Sequence, residues 1–341
     1  MSRQQQARVA VFSLGGTIAM TPQPQGGVVP ALSAADLVAA VPGLANLPIE
    51  VEVHDFRRLP GASLGFADLL ALAAEIDRQV RGGLDGVVVT QGTDTIEETA
   101  YLLDLLSDGD APVVVTGAMR AASAAGADGP ANLLAALRVA AADHARGLGC
   151  LVVFADEIHA ARAVRKAHAT SITAFTSHPG SIGYVVEDRV HVALRPTRSP
   201  RIPATNPDRH PNTAVVPAVL GDDGTLLRLV AAQADGLVIA AFGAGHVPAS
   251  WVPILEDSCR RIPVVLASRT GSGSVLANTY GFPGSESDLL ARGLISAGSL
   301  DAYKARILLH LLLMAETSPA DIRTIIATAA ATAPSPAAAG H

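Results

Sequence analysis

The sequence contains few cysteines, few aromatic residues and few lysines. Of its 341 residues, only Cys150 and Cys259 are cysteines, and 4% are aromatic. Two widely separated cysteines exclude a disulfide framework and a cysteine-rich zinc site. With 49% hydrophobic residues but so few aromatic ones, the core must be built from Ala, Val and Leu. This composition is typical of helices packed on parallel sheets.

The sequence also lacks clusters of basic residues and long apolar runs. Its formal net charge is −6. Nucleic acids and anionic membranes attract concentrated positive charge, so we expect neither as a partner. No run of about 18 uncharged apolar residues and no signal-peptide pattern occurs, which predicts a cytoplasmic protein. Small anionic or zwitterionic ligands remain as candidates.

The length fits two domains of roughly 100–200 residues each. The order of apolar segments predicts a larger N-terminal α/β domain with a doubly wound parallel sheet and a smaller C-terminal α/β domain. A proline-rich stretch without apolar periodicity marks a linker between them. The predicted boundaries are 1–195 for the first domain, 196–212 for the linker, 213–326 for the second domain and 327–341 for a disordered tail.

A polar cluster follows the valines of residues 87–89. A continuous apolar run is typical of a strand buried on both faces. The polar residues after it, with Glu97 and Glu98 behind them, are typical of a helix start. Ligands of open α/β sheets bind beyond the carboxyl ends of such strands. Thr93 and Asp94 are therefore either ordinary capping residues or groups that take part in chemistry.

A second strand near the N-terminus ends in the same way, with Gly15 and Gly16 before Thr17. Glycine allows a tight turn and a close approach of the backbone to a ligand. This repetition favours a functional interpretation of both hydroxyl groups. A third predicted strand, over 112–116, leads into Gly117-Ala118-Met119-Arg120, and Asp128 is predicted to cap a helix that begins at Pro130.

Lys166 and Lys304 are the only lysines, while arginine carries most of the positive charge. Lysine can act as a base when its surroundings lower its pKa, whereas arginine stays protonated. Lys166 is therefore either such a base or a solvated charge. His159 and His168 are the nearest approach to a metal pair but lack metal-site spacing, so we expect no metal. Motifs for nucleotide binding and for a serine nucleophile are also absent.

Several motifs, taken in order, resemble the bacterial-type L-asparaginase/glutaminase family. The resemblance extends from residue 8 to about residue 325. Its motifs are Leu14-Gly15-Gly16-Thr17-Ile18-Ala19, Gln91-Gly92-Thr93-Asp94-Thr95, Gly117-Ala118-Met119-Arg120, Ala127-Asp128-Gly129-Pro130-Ala131-Asn132 and the Val-x-Lys of residues 164–166.

The resemblance implies an enzyme that hydrolyses the side-chain amide of asparagine without a cofactor, through an acyl-enzyme formed on threonine. Thr17 would be the nucleophile. Thr93, Asp94 and Lys166 would form a second catalytic cluster, in which Lys166 takes the Thr93 proton and Thr93 helps to align the attacking water. Asp94 would also bind the α-ammonium group of the substrate.

The same resemblance implies further substrate-binding residues: Gly61, Ala62, Ser63, Ala118 and Glu286. Family members often take the glutamate from a neighbouring subunit, so a homodimer or homotetramer is expected. Three features depart from the family pattern. Gln91 replaces a histidine, residues 20–30 contain no tyrosine, and Gly61-Ala62 stands where members have Ser-Gln.

Three alternatives to an asparaginase are compatible with the sequence. Two keep the family and change the substrate: an amidase subunit that corrects glutamyl-tRNA, and an asparaginase-like acylhydrolase. The absence of a basic face weakens the tRNA alternative. The third is a ligand-binding protein with this fold but no turnover. Within the asparaginase interpretation, asparagine is the expected substrate, with minor glutaminase activity.

Overall fold

The computed structural model of this chain describes residues 6–22, 28–30, 32–202 and 206–330. These residues divide into two compact units, with the boundary between Arg198 and Ser199. The last helix continues to Ala330, so the disorder predicted from residue 327 is wrong for residues 327–330. Residues 331–341 of the predicted tail, and residues 23–27 of the loop without tyrosine, lie outside the described residues.

The first unit alternates strands and helices from residue 7 onward. Its elements in chain order are β1 (Ala7–Gly15), β2 (Met20–Pro22), β3 (Val28–Pro30), α1 (Ala34–Ala39), β4 (Ile49–Leu59), α2 (Phe66–Arg81), β5 (Gly86–Thr90), α3 (Ile96–Leu106), β6 (Val113–Thr116), α4 (Gly129–Ala140), β7 (Cys150–Phe154), β8 (Glu157–Ala160), β9 (Val164–Lys166), β10 (Phe175–Ser177), β11 (Gly183–Val186) and β12 (Arg189–Val192).

Eight strands form the main sheet, in the order β12-β11-β8-β7-β6-β5-β1-β4. The pairs from β4 through β7 are parallel, whereas β8, β11 and β12 add an antiparallel edge. The chain goes from β1 outward to β4 and then returns to place β5 on the other side of β1. The strand order therefore reverses between β1 and β5, the position where open α/β sheets bind ligands.

Helices cover both faces of this sheet. Val9 and Val11 of β1 belong to a core that includes α1 and α4. Ala10 and Phe12 alternate with them and are also buried, so they face the opposite side. Helix α3 packs on β6 and β7, as α4 does, but contributes nothing to that first core. The doubly wound α/β architecture predicted from the sequence is confirmed.

The second unit has a smaller, parallel sheet in the order β13-β14-β15-β16. Helix α8 is buried almost throughout. Among the described residues, none of the helices combines the length and the apolar character that a membrane span requires. The elements are β13 (Thr213–Pro217), α5 (Thr225–Ala231), β14 (Gly236–Ala241), α6 (Val252–Cys259), β15 (Val264–Ser268), α7 (Glu286–Ala291), β16 (Ile295–Ser296), α8 (Ala302–Met314) and α9 (Pro319–Ala330).

Candidate active site

Three turns at the carboxyl ends of β1, β4 and β5 pack backbone against backbone. Gly16, which follows β1, has a φ of 82°, and a Cβ at this position would lie 2.0 Å from the Gly92 nitrogen. A Cβ on Gly61, after β4, would lie 2.9 Å from the Gly92 oxygen. Only glycine fits at such contacts. They bring the residues after each glycine, Thr17, Ala62 and Thr93, to one edge of the sheet.

Thr17 begins a single 3-10 turn, Thr17–Ala19, directly after β1. The next two residues, Ile18 and Ala19, are buried, whereas Thr17 is partly exposed. Ile18 packs so closely on Gly129 that a Cβ there would lie 2.9 Å from the Ile18 Cγ1 atom. The turn is therefore anchored by its apolar residues, and the Thr17 side chain lies at the β1–β5 reversal of the sheet.

Lys166 joins Thr93 and Asp94 in one hydrogen-bonded cluster. Its Nζ atom donates to Thr93 Oγ1 at 2.9 Å and to Asp94 Oδ1 at 2.8 Å. The Lys166 side chain is 14% exposed and that of Asp94 is 65% exposed, so the cluster opens to solvent on the Asp94 side. Lys166 is thus not a freely solvated charge. Lys304 is not one either, because it is buried and paired with Asp301 at 2.8 Å.

Glu97 positions the backbone that carries Lys166. This buried carboxylate, in the first turn of α3, accepts a hydrogen bond from the Lys166 backbone N–H at 3.3 Å. The sequence pattern around Glu97 indicates only a first-turn residue of a helix and does not predict this contact. The local signal concerned only the helix terminus, whereas the partner lies 69 residues further along the chain.

The predicted substrate-binding residues Gly61, Ala62 and Ser63 form a 3-10 turn after β4. Gly61 is buried against Gly92, and Ala62 and Ser63 are exposed beside it. The close contact explains why this chain has no side chain at position 61. Only Ala62 and Ser63 can therefore contribute side-chain atoms from this turn.

The turn after β6 is held by Asp128 and Asn132. The Asp128 carboxylate accepts hydrogen bonds from the N–H groups of Met119 and Arg120, each at 2.9 Å. Asn132 donates to the Gly117 oxygen at 3.0 Å and to Asp128 at 3.2 Å. Asp128 is the N-cap residue of α4, as predicted, but its side chain makes no capping bond to the helix backbone and binds this turn and Asn132 instead. Ala118, the predicted substrate contact, is thus buried in a firmly held turn.

Glu286 lies at the start of α7 in the second unit and is 0% exposed. Its Oε1 atom accepts from the N–H groups of Thr279 and Tyr280 at 2.9 and 2.8 Å, and its Oε2 atom lies 3.2 Å from His246 Nε2. Burial acts to raise the pKa of Glu286, but these hydrogen bonds outweigh it, so the pKa is below its ordinary value. Substrate binding by Glu286, and the expected dimer or tetramer, stay predictions.

We expect Glu286→Gln to lower the free energy of unfolding at pH 7 by on the order of 1–2 kcal/mol, because a neutral oxygen accepts weaker hydrogen bonds than a carboxylate. Because the pKa of Glu286 is lower in the folded protein than its ordinary value of 4.5, its ionisation stabilises the fold at pH values above 4.5. This contribution disappears as the pH falls through the folded-state pKa. The difference between variant and wild type should therefore be smaller at a pH below 4.5 than at pH 7.

Urea unfolding at both pH values measures this effect. Glu316→Gln is the matched control, since Glu316 is an exposed partner of Arg209 in the same unit and surface ion pairs contribute little. Equal stability of Glu286→Gln and wild type at pH 7 would contradict the expectation. A raised Michaelis constant for asparagine in the same variant would support a role for Glu286 in substrate binding.

The two histidines considered as metal ligands have separate partners. His159 is buried on β8, its Nδ1 lies 3.0 Å from Ser177 Oγ, and burial lowers its pKa to about 4. His168 is exposed, and its Nδ1 accepts the N–H groups of Thr170 and Ser171. Within the described ranges, no group of three or more His, Cys, Asp or Glu residues could hold a metal ion.

Comparison with known proteins identifies the family of this chain. Residues 8–198 match the model of the asparaginase N-terminal domain, and residues 212–326 match that of the glutaminase/asparaginase C-terminal domain. The chain belongs to the asparaginase family. The resemblance noted in the sequence is thereby confirmed, and the chain is an asparaginase-type hydrolase.

Relatives match over nearly the whole chain. The chain is 39% identical to a probable L-asparaginase of Deinococcus radiodurans, over 93% of this chain and 96% of that protein. It is 33% identical to an L-asparaginase of Bacillus licheniformis, over 90% and 95%. The crystal structure of a probable cytoplasmic L-asparaginase from Campylobacter jejuni, 31% identical, matches with a TM-score of 0.83 over 94% of this chain and 99% of that one.

Proposed function

We propose that this asparaginase-family protein hydrolyses L-asparagine to L-aspartate and ammonia through an ester on Thr17. Thr93, Asp94 and Lys166 serve the same reaction from the other side of the β1–β5 reversal. The proposal rests above all on one observation: Gly16 and Gly92 are in contact, so the hydroxyl after β1 and the Lys166–Thr93–Asp94 cluster after β5 share one edge of the sheet. The family match gives the reaction type.

In the first step, the Thr17 oxygen attacks the side-chain amide carbon, and a C–O bond replaces the C–N bond. The leaving nitrogen takes the proton that the Thr17 hydroxyl releases and departs as ammonia. The negative charge that develops on the amide oxygen is stabilised by backbone N–H groups of the turns at Thr17 and Thr93. Such preorganised donors contribute about 3–4 kcal/mol to lowering a barrier of this kind.

In the second step, water attacks the ester and regenerates Thr17. Thr93 lies 2.9 Å from Lys166 Nζ, a distance at which a proton can move between the two groups. Thr93 then orients the water and takes its proton as it gives its own to the neutral amine of Lys166. When the ester C–O bond breaks, the Thr17 oxygen takes up that proton, which leaves Thr17 as the free hydroxyl and the product as the acid. The exposed carboxylate of Asp94 binds the α-ammonium group of the substrate, because it has free access to solvent beside the cluster. These steps require no cofactor.

The decisive experiment is ammonia release from L-asparagine by the purified protein. Release that depends on enzyme concentration would support the proposal. Binding of asparagine without ammonia release would instead identify a ligand-binding protein with this fold. A cytoplasmic location stays a prediction and is not needed for the reaction.

We expect asparagine to be preferred over glutamine. Michaelis constants of enzymes usually lie between about 1 μM and 1 mM, and we expect the constant for asparagine to lie near the upper end. The substrates differ by one methylene group, which a fitted pocket discriminates by roughly 1–3 kcal/mol. Since Gly61 has no side chain and Ala62 has no polar side-chain atom, the turn after β4 binds the α-groups weakly. Steady-state kinetics on both amides measure this.

Ala62→Gln provides a matched test of the weak anchoring. Residue 62 is exposed, so a longer polar side chain can be added there without displacing the core. The variant should lower the Michaelis constant for asparagine while Ser63→Ala should raise it. A micromolar constant in the wild-type protein, or faster turnover of glutamine at equal concentration, would show that this interpretation of Gly61 and Ala62 is wrong.

A further inference from the structure

The side chain of Gln91 is completely buried at the end of β5, next to the candidate catalytic residues. Its Nε2 atom donates to the Gly92 oxygen and to Thr95 Oγ1, each at 3.2 Å. An amide nitrogen carries two hydrogens, so both bonds form at once. A neutral imidazole has only one N–H, and a histidine at this position could not make both. Gln91 thus links the turn before Thr93 to the residue that follows Asp94.

Thr95 connects Gln91 to the neighbouring turn of residues 61–63 by a second hydrogen bond. Because its hydroxyl oxygen accepts from Gln91, the hydroxyl hydrogen is free to donate, and it does so to the Gly61 oxygen at 3.1 Å. The side chain of Thr95 makes no capping bond to α3, so its hydroxyl is committed to these two contacts. The result is a continuous relay from Gln91 through Thr95 to Gly61.

The relay spans the place where two turns touch. A Cβ added to Gly92 would lie 2.7 Å from the Gly61 nitrogen, and one added to Gly61 would lie 2.9 Å from the Gly92 oxygen. Van der Waals contact alone resists approach of the two turns but not their separation. The Thr95–Gly61 hydrogen bond supplies the restraint in the opposite direction.

We propose that Gln91 and Thr95 are positioning residues that set the spacing between the turn of residues 61–63 and the turn that carries Thr93 and Asp94. This inference rests on the proposed function, in which the substrate's α-groups bind between the two turns. The hydrogen bond between Thr93 and Lys166 involves neither Gln91 nor Thr95. Loss of the relay should therefore weaken substrate binding more than it slows the chemical steps.

The test compares variants that remove the relay with one that keeps it. Thr95→Val preserves the shape but lacks the hydroxyl, and Gln91→Met preserves the length but lacks the N–H groups. Each should raise the Michaelis constant for asparagine roughly three- to tenfold, the factor that corresponds to one net hydrogen bond. The fall in kcat should be smaller than this. Thr95→Ser retains the hydroxyl and should behave as wild type.

The double variant, Gln91→Met with Thr95→Val, tests whether the two residues act through one path. Within a single relay its Michaelis constant should be close to that of Thr95→Val alone, whereas independent effects would multiply. Multiplying effects, an unchanged Michaelis constant in both single variants, or equal losses in kcat would overturn the inference. If Thr95→Val does not fold, as monitored by thermal unfolding, Gln91→Met and Thr95→Ser decide the question.

The unaltered protein is assayed first. If it releases no ammonia from asparagine, the proposed function fails and the relay loses its role with it. If it is active but the variants keep the wild-type Michaelis constant, the inference alone fails.

Discussion

Replacement of Thr17 by alanine should lower kcat for L-asparagine by at least about a thousandfold, because it removes the atom that forms the ester. The 3-10 turn should keep its structure, since Ile18 and Ala19 anchor it and the Thr17 side chain is only partly buried. Ammonia release at saturating asparagine measures the loss, and thermal unfolding shows whether the fold is intact.

Thr17→Ser is the matched control for this variant. It keeps a hydroxyl at the same position and should retain far more activity than Thr17→Ala. Rapid quenching followed by mass spectrometry should detect wild-type protein carrying one aspartyl group, and Thr17→Ala should show none. A Thr17→Ala variant with near-wild-type turnover would rule out Thr17 as the nucleophile.

Replacement of Lys166 by methionine should lower kcat by about a hundred- to ten-thousandfold, the usual contribution of a positioned acid–base group. Lys166 Nζ is bonded to both Thr93 and Asp94, and methionine can bond to neither. The wild-type contacts hold the Lys166 amino group beside the Thr93 hydroxyl, at a distance at which the two can exchange a proton. The effect should appear as a fall in kcat, measured by ammonia release under saturating substrate.

Lys166→Arg separates the proton-transfer role from the charge. Arginine preserves the positive charge beside Asp94 but does not lose its proton under ordinary conditions. If Lys166 exchanges a proton with Thr93, Arg should be nearly as impaired as Met. Substantial activity in Lys166→Arg would mean that the charge alone matters.

Thr93→Ala should lose activity to an extent similar to Lys166→Met. Near-wild-type turnover in Thr93→Ala would eliminate the proposed water step.

The limits of sequence analysis in this protein have physical causes. β4 extends from Ile49 to Leu59. It is an edge strand of the main sheet, so charged residues alternate along it and obscure the apolar pattern. Asp128 is the predicted N-cap residue of α4, but its carboxylate binds two backbone N–H groups of the turn after β6 and not the helix backbone. Local patterns do not contain information about such partners.

The sequence by itself determined the two-domain α/β architecture, the glycine–threonine turns after β1 and β5, and membership of the asparaginase family. Buried strands and helix starts have local signatures, and the family's motifs are short contiguous runs. Only the tertiary structure decided that Lys166 lies 2.9 Å from Thr93, 73 residues earlier in the chain, and that Gln91 reaches Gly61 through Thr95. Such contacts depend on how β4, β5 and β9 end relative to one another, and that spacing is set by the packing of the whole sheet and its loops.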